Sequence, residues 1–223
     1  MPITAITDPP ARLTDAVHSR LREAILTGDP APGQQLSVPA LAKVLNVSRG
    51  SVREAVLQLV ADGLAEERPR RGVVVITLGH EELRHIHRIR ESLDGLAARL
   101  CAEHSSSTLC DQLRVTLNAV GAATSCNDGA GYVEIDAAFH AQIADACGNP
   151  MLAALIERLH DQMRVALVPI AEHHTHRHPG LEELQRVLDA IADGDPDAAE
   201  TAMRVHIRRT RELLDGENRA SGR

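Results

Sequence analysis

Aromatic side chains are nearly missing: the 223 residues hold one Tyr, one Phe and no Trp. A chain so poor in rings argues against the stacking platforms that hold single-stranded nucleic acid and RNA bases. Long hydrophobic runs are missing too. No stretch reaches the roughly 18 apolar residues of a membrane span, and no basic segment followed by an apolar one opens the chain. The four cysteines, Cys101, Cys110, Cys126 and Cys147, show no CxxC spacing. They read as reduced and mostly buried thiols in a soluble, cytoplasmic protein with no membrane partner. An excess of positive charge is also lacking, since the formal net charge is −7.

What is present is an aliphatic core and an uneven charge. Apolar residues make up 43%, which suits helix-on-helix packing of Leu, Val, Ile and Ala. The length allows one large domain or two modest ones. Residues 1–79 carry 9 Lys/Arg against 8 Asp/Glu, and residues 80–223 carry 15 against 23. The near-neutral N-terminal part can bind a polyanion if its arginines share one face.

Residues 1–10 read as a loose arm. Leu13, Val17, Leu21 and Ile25 have helical spacing, and "GDPAPG" (28–33) follows as a loop. Ser37 is placed to cap a short helix with Leu41, Val44 and Leu45 on its inner face, broken at Asn46. Ser48 is placed to cap the next helix. There Val52, Ala55, Val56, Leu59 and Val60 form an apolar stripe, with Arg49, Arg53, Glu54 and Gln58 opposite. Gly63 stops this helix, and "LAEERPRRGVVVI" reads as a two-stranded wing turning at Pro69 to Gly72.

Two short helices, a tight turn and a capped third helix have helix-turn-helix geometry. Arg49 and Arg53 lie one turn apart, suited to guanine edges or phosphates. Ser48 and Ser51 can reach the DNA backbone, and Arg68, Arg70 and Arg71 can grip phosphates beside the wing. A plain three-helix module with solvated arginines fits the same spacing.

After a linker at 77–81 the chain reads as helices only: 80–103, 106–126, 131–147, 150–174, 180–193 and 196–215. The expected architecture is mainly α. A winged helix-turn-helix (11–76) precedes an acidic all-α bundle (82–216) and a tail at 217–223. Asp136 and His140, at i and i+4, share one helix side and can chelate a divalent metal. His206 falls in the stripe Ala199, Ala202, Met203 and points into the bundle. A core histidine with a hydrogen-bond partner is the plainer reading of such a residue. Arg90, one turn before Asp94, fits an effector carboxylate or a salt bridge within the bundle. The cluster His173, His174, His176 and His178 reads as a solvated helix end that can bind metal in vitro.

The words "I-x-x-G-x-x-x-P-G" (25–33), "V-S-R-x-x-V-R-E-A-V" (47–56), "L-x-x-D-G-L" (59–64) and "R-R-G-V-x-V" (70–75) resemble the winged helix-turn-helix of the GntR superfamily of bacterial transcription regulators. The resemblance implies DNA contact by Arg49 and Arg53, with Ser48 and the wing assisting. Val38, Pro39 and Ala40 depart from similar relatives, which carry more polar residues there. Downstream, "R-x-S-L-D-G-L-A-A-R-L" (90–100), "D-x-x-F-H" (136–140), "G-N-P-M-L" (148–152) and "L-D-A-I-A-D-G-D-P-D-A-A-E-x-A-M-x-x-H" (188–206) resemble the FCD-type effector domain of the FadR-like branch.

That resemblance implies one divalent metal, zinc or similar, on Asp136, His140 and His206. It also implies a fourth histidine ligand seven residues before Ile191, where this chain has Leu184. Leu184 instead fits the core stripe Leu181, Leu188, Ile191. A metal-free pocket with the three residues as a hydrogen-bonding set is the alternative. The expected function is a ligand-responsive, homodimeric regulator of double-stranded operator DNA. It would be a repressor released by a small carboxylate or acyl metabolite. A metal-dependent hydrolase on Asp136, His140 and His206 lacks a Glu beside a ligand His, as in HExxH, and lacks a nucleophile elbow. A helical interaction module with a vestigial DNA-binding head is a third reading.

Overall fold

A computed structural model describes residues 11–104, 106–126, 129–171 and 180–220. The arm at 1–10 and the histidine cluster at 173–178 lie outside the described residues. The chain divides into two compact units between Thr77 and Leu78.

The first unit holds α1 (Ala11–Leu26), α2 (Val38–Leu45), α3 (Arg49–Ala61), β1 (Ala65–Arg68) and β2 (Gly72–Val75). Val17, Leu21 and Ile25 of α1 are buried, as are Val52, Ala55, Val56 and Leu59 of the facing α3. Each fully buried Val, Leu or Ile side chain contributes about 1.5–3 kcal/mol. Leu13 is half exposed; Thr14 is buried instead and donates to Glu54 at 3.1 Å. A contact of 2.7 Å from His18 to Asp62 ties the other end of α3 to α1.

The short α2 differs from expectation. Val44 is 80% exposed and Ala42 is the residue it buries, because eight residues give only two turns to place against α3. Ser37 stands at its N-cap without a side-chain cap bond. Asn46 ends it in the left-handed conformation at φ 53°. Strands β1 and β2 pair antiparallel from Ala65 opposite Val75 to Arg68 opposite Gly72. The sequence pattern did not announce a third edge. Leu36 N–H donates to Val73 O, Val75 N–H to Gln34 O, and Gln35 bridges Val74.

The second unit is α4 (His80–Glu103), α5 (Ser107–Cys126), α6 (Gly129–Ala146), α7 (Pro150–Ala171), α8 (Gly180–Ala192) and α9 (Pro196–Ala220). The first helix takes in the last two residues of the segment read as a linker. Phe139, Leu113, Ile156, Leu184, Ile191 and Met203 lie at the centre of one aliphatic core. The helices α4 and α9 run against each other, with Gly95 admitting the stem of Arg204 and Glu91 bridging Arg208 and Arg211. None of the four cysteines is in a disulfide, and Cys126 is exposed while the other three are buried. Among the described residues no helix is long and apolar enough to cross a membrane.

Candidate DNA-reading face and candidate metal centre

The start of α3 is held by its own cap. Ser48 Oγ accepts from Ser51 N–H at 3.1 Å, and the two hydroxyls lie 3.0 Å apart. Bonding within this turn fixes the first helical residues and satisfies an orphan N–H. Arg49 and Arg53 are exposed on the side opposite Val52, Val56 and Leu59. Arg70 and Arg71 are exposed at the wing tip, and Arg70 adopts φ 65°. Arg68 differs from its wing neighbours. Its Nε and Nη2 donate to Glu66 Oε1 at 3.0 and 2.6 Å, and Nη2 also donates to Thr77 at 2.8 Å. Those donors are engaged within the wing.

In the second unit, five helices direct polar groups into the apolar core. Asp136 and His140 come from α6 and His206 from α9. Their ligand-type atoms lie within 4.8 Å of one another. His140 Nε2 is 3.3 Å from His206 Nε2 and 3.8 Å from Asp136 Oδ2; His206 Nε2 is 3.7 Å from Asp136 Oδ1. Donors around a tetrahedral zinc at 2.0–2.1 Å stand about 3.4 Å apart. The three groups therefore need little adjustment to share a cation. Asp136 Oδ1 is buried with no hydrogen-bond partner, as expected of an oxygen that a cation would satisfy. Leu184 is fully buried in the apolar core, so position 184 supplies packing and no donor. The residues fit a divalent ion held by three protein ligands with a position left open.

A second layer surrounds this set. On α4, Arg90 Nε donates to Asp94 Oδ2 at 3.2 Å. Asp94 Oδ1 lies 3.0 Å from His160 Nε2 and 3.2 Å from His140 Nδ1. The His140 contact is at ion-pair distance without hydrogen-bond alignment. Glu183 Oε2 on α8 lies 3.3 Å from His206 Nδ1, and its Oε1 is 3.1 Å from Arg209 Nε. Where α8 starts beside the centre, a Cβ on Gly180 would collide with the Tyr132 hydroxyl and touch the His206 ring at 3.5 Å.

Charge follows from burial and neighbours. Burial works against the Asp94 carboxylate, but Arg90 and then His160 outweigh it and hold the group well below the usual carboxylate range. Burial likewise opposes ionised Asp136, and the imidazoles of His140 and His206 keep its pKa below the ordinary value. Burial first, then Arg90, lowers His160 to about 4 and His87 to about 3. Both ring nitrogens of His87 are buried without a hydrogen-bond partner.

The structure thus brings Asp136, His140 and His206 together and places Arg90 one layer away, paired with Asp94. Sequence reasoning missed His87, His160 and Glu183. The signal was available: each sits at a core position of a helical stripe, as His160 does between Ile156 and Met163. The same criterion had singled out His206.

Residues 85–209 match the model of the FCD domain, and residues 13–75 match that of the bacterial regulatory proteins of the gntR family. The first match spans more than half of the chain, which belongs to the FCD-domain family of GntR-type transcription regulators. It is 27% identical over 218 residues to the HTH-type transcriptional repressor NanR of Klebsiella aerogenes, covering 88% of this chain and 83% of that one. The same repressor of Salmonella schwarzengrund is also 27% identical, over 82% of its length. Among solved structures, E. coli McbR/YncC shares the fold with a TM-score of 0.80 at 24% identity, over 92% of this chain and 98% of its own. A GntR regulator from Rhodococcus sp. RHA1 does so with a TM-score of 0.79 at 23% identity, over 92% and 99%.

Proposed function

We propose that this regulator acts in the cytoplasm as a repressor. In this reading it works as a symmetric dimer on a two-fold operator and is released when a small carboxylate or acyl metabolite enters the centre at Asp136, His140 and His206. The observation that carries the effector half is the buried Asp136 Oδ1, which has no hydrogen-bond partner and lies 3.7 Å from His206 Nε2. Asp136, His140 and His206 would hold one divalent metal; when bound, it supplies a Lewis-acid position for an anionic oxygen of the effector. Arg90, one layer away behind Asp94, can exchange part of its contact with Asp94 for an effector carboxylate that reaches it. On the DNA side, Arg49 and Arg53 read base edges from the start of α3, while Ser48, Ser51, Arg70 and Arg71 meet the backbone. The ion pair with Glu66 makes Arg68 a wing-shaping residue in this reading, with a lesser part in DNA contact.

The test starts from selection of duplexes out of a random pool by the full chain. Fluorescence anisotropy then compares a selected duplex with its scramble, with and without a panel of short carboxylates and zinc. The expected result is selective binding that one class of carboxylate weakens. Equal affinity for both duplexes would remove the DNA-reading role. Ester turnover with added zinc that His140→Ala abolishes would replace the regulator reading with a hydrolase.

A further inference from the structure

A neutral imidazole carries one N–H and one lone pair, and its neighbours decide which nitrogen holds which. At His206 the carboxylate beside Nδ1 favours one arrangement. Nδ1 lies 3.3 Å from Glu183 Oε2, and an ionised carboxylate only accepts. The proton therefore belongs on Nδ1, and Nε2 is left with its lone pair. At His140 the neighbour of Nδ1 is Asp94 Oδ1 at 3.2 Å, with the same consequence. This second contact is poorly aligned and shares its oxygen with His160, so Glu183 is the stronger determinant of the two.

The two Nε2 atoms are 3.3 Å apart. With both protons on Nδ1, neither ring can donate to the other. Two lone pairs then face the Asp136 carboxylate, His206 Nε2 at 3.7 Å from the orphaned Oδ1 and His140 Nε2 at 3.8 Å from Oδ2. Flipping either ring's tautomer would make an N–H···N bond there, but it would set a bare Nδ1 against a carboxylate. The outer carboxylates thus keep the inner donors bare.

Glu183 cannot turn away easily. It is 7% exposed, and its other oxygen is held by Arg209 Nε at 3.1 Å. It also stands one residue before Leu184, whose aliphatic side chain fills the core. We infer that Glu183 is a positioning residue for the metal centre: it fixes His206 as the Nδ1–H tautomer, with Asp94 doing the same for His140, so that both Nε2 lone pairs face Asp136. The chain at this turn of α8 contributes an anchor behind a ligand and no ligand of its own. Carboxylates placed behind a ligating histidine typically account for 10- to 100-fold in metal affinity. This inference rests on the reading of Asp136, His140 and His206 as metal ligands.

Two measurements on the full chain test it and separate it from that reading. In the first, chelator-treated protein labelled with 15N-histidine is examined at neutral pH by long-range 1H–15N correlation. Nδ1–H tautomers at His206 and His140 are expected, and an Nε2–H tautomer at His206 overturns the inference whether or not metal binds. In the second, Co(II) is titrated by its visible absorption. Glu183→Gln should weaken binding 10- to 100-fold, and His206→Ala should abolish the band. A band lost in His206→Ala but unchanged in strength and midpoint in Glu183→Gln also overturns it. A band that survives His206→Ala sinks the metal reading alone, and the tautomers then decide the inference.

Discussion

Arg90 and Asp94 form an ion pair one turn apart on α4, at 3.2 Å, with the Asp94 side chain 2% and the Arg90 side chain 9% exposed. Breaking a buried pair leaves an uncompensated charge, which costs about 3–5 kcal/mol, whereas an apolar replacement of both members is far milder. Arg90→Met should therefore destabilise the chain by about that amount in urea denaturation. The double change Arg90→Met with Asp94→Leu should recover much of the loss. No recovery would mean that the contacts of Asp94 with His140 and His160 outweigh its pairing with Arg90.

The bundle should lose stability in mild acid. His87 is held at about 3 in the folded chain and His160 at about 4, against an ordinary 6.5. Arg90 and Asp94 on α4, Asp136 on α6 and Arg211 on α9 act on His87. The unfolded chain then binds more protons than the folded one between these values. The stabilisation is complete above pH 6.5 and is lost as pH falls toward 3–4. His87→Leu should reduce the slope of unfolding free energy over pH 4–6 by up to about 1.4 kcal/mol per pH unit, one proton's worth. An unchanged slope in urea titrations would show that His87 is solvated or paired in the folded state.

At the wing tip, Arg70 occupies a backbone region that costs a non-glycine residue roughly 1–2 kcal/mol. Arg70→Gly should raise the melting temperature of the chain. It should also weaken every duplex alike and lower the slope of log affinity against log salt by about one. A drop in melting temperature would place the arginine in a stabilising contact instead.

Arg49 and Arg68 should behave oppositely on DNA. Arg49→Ala should cost about 1–3 kcal/mol on the selected duplex and little on its scramble. Arg68→Ala should leave the salt slope near its original value, because that guanidinium is already bonded to Glu66 and Thr77. Equal losses on both duplexes would reduce Arg49 to a phosphate clamp.

Much of this was legible in the sequence because helical period and stop residues speak through short-range physics. The stripe Val52, Ala55, Val56, Leu59 is buried as its spacing requires, and Ser48 caps α3. All six helices of the second unit begin within two residues of where their caps and prolines put them. Convergence in space was less legible. Asp136 and His140 share a helix turn, but only the packing of α7 and α8 shows that His160 and Glu183 reach the same centre. The inner face assigned to α2 failed at Val44, since two turns of helix present too few residues for a period to be read.

The bridge between Gln35 and Val74 also bears on solubility. A two-stranded ribbon has two open edges, each able to recruit a strand from another molecule. Residues 33–36 hydrogen-bond along the outer side of β2 and close one of them. The other belongs to β1, where Glu66, Glu67 and Arg68 stand in succession. An intruding strand would have to desolvate three charges there, so the wing resists edge-to-edge aggregation while keeping its tip exposed.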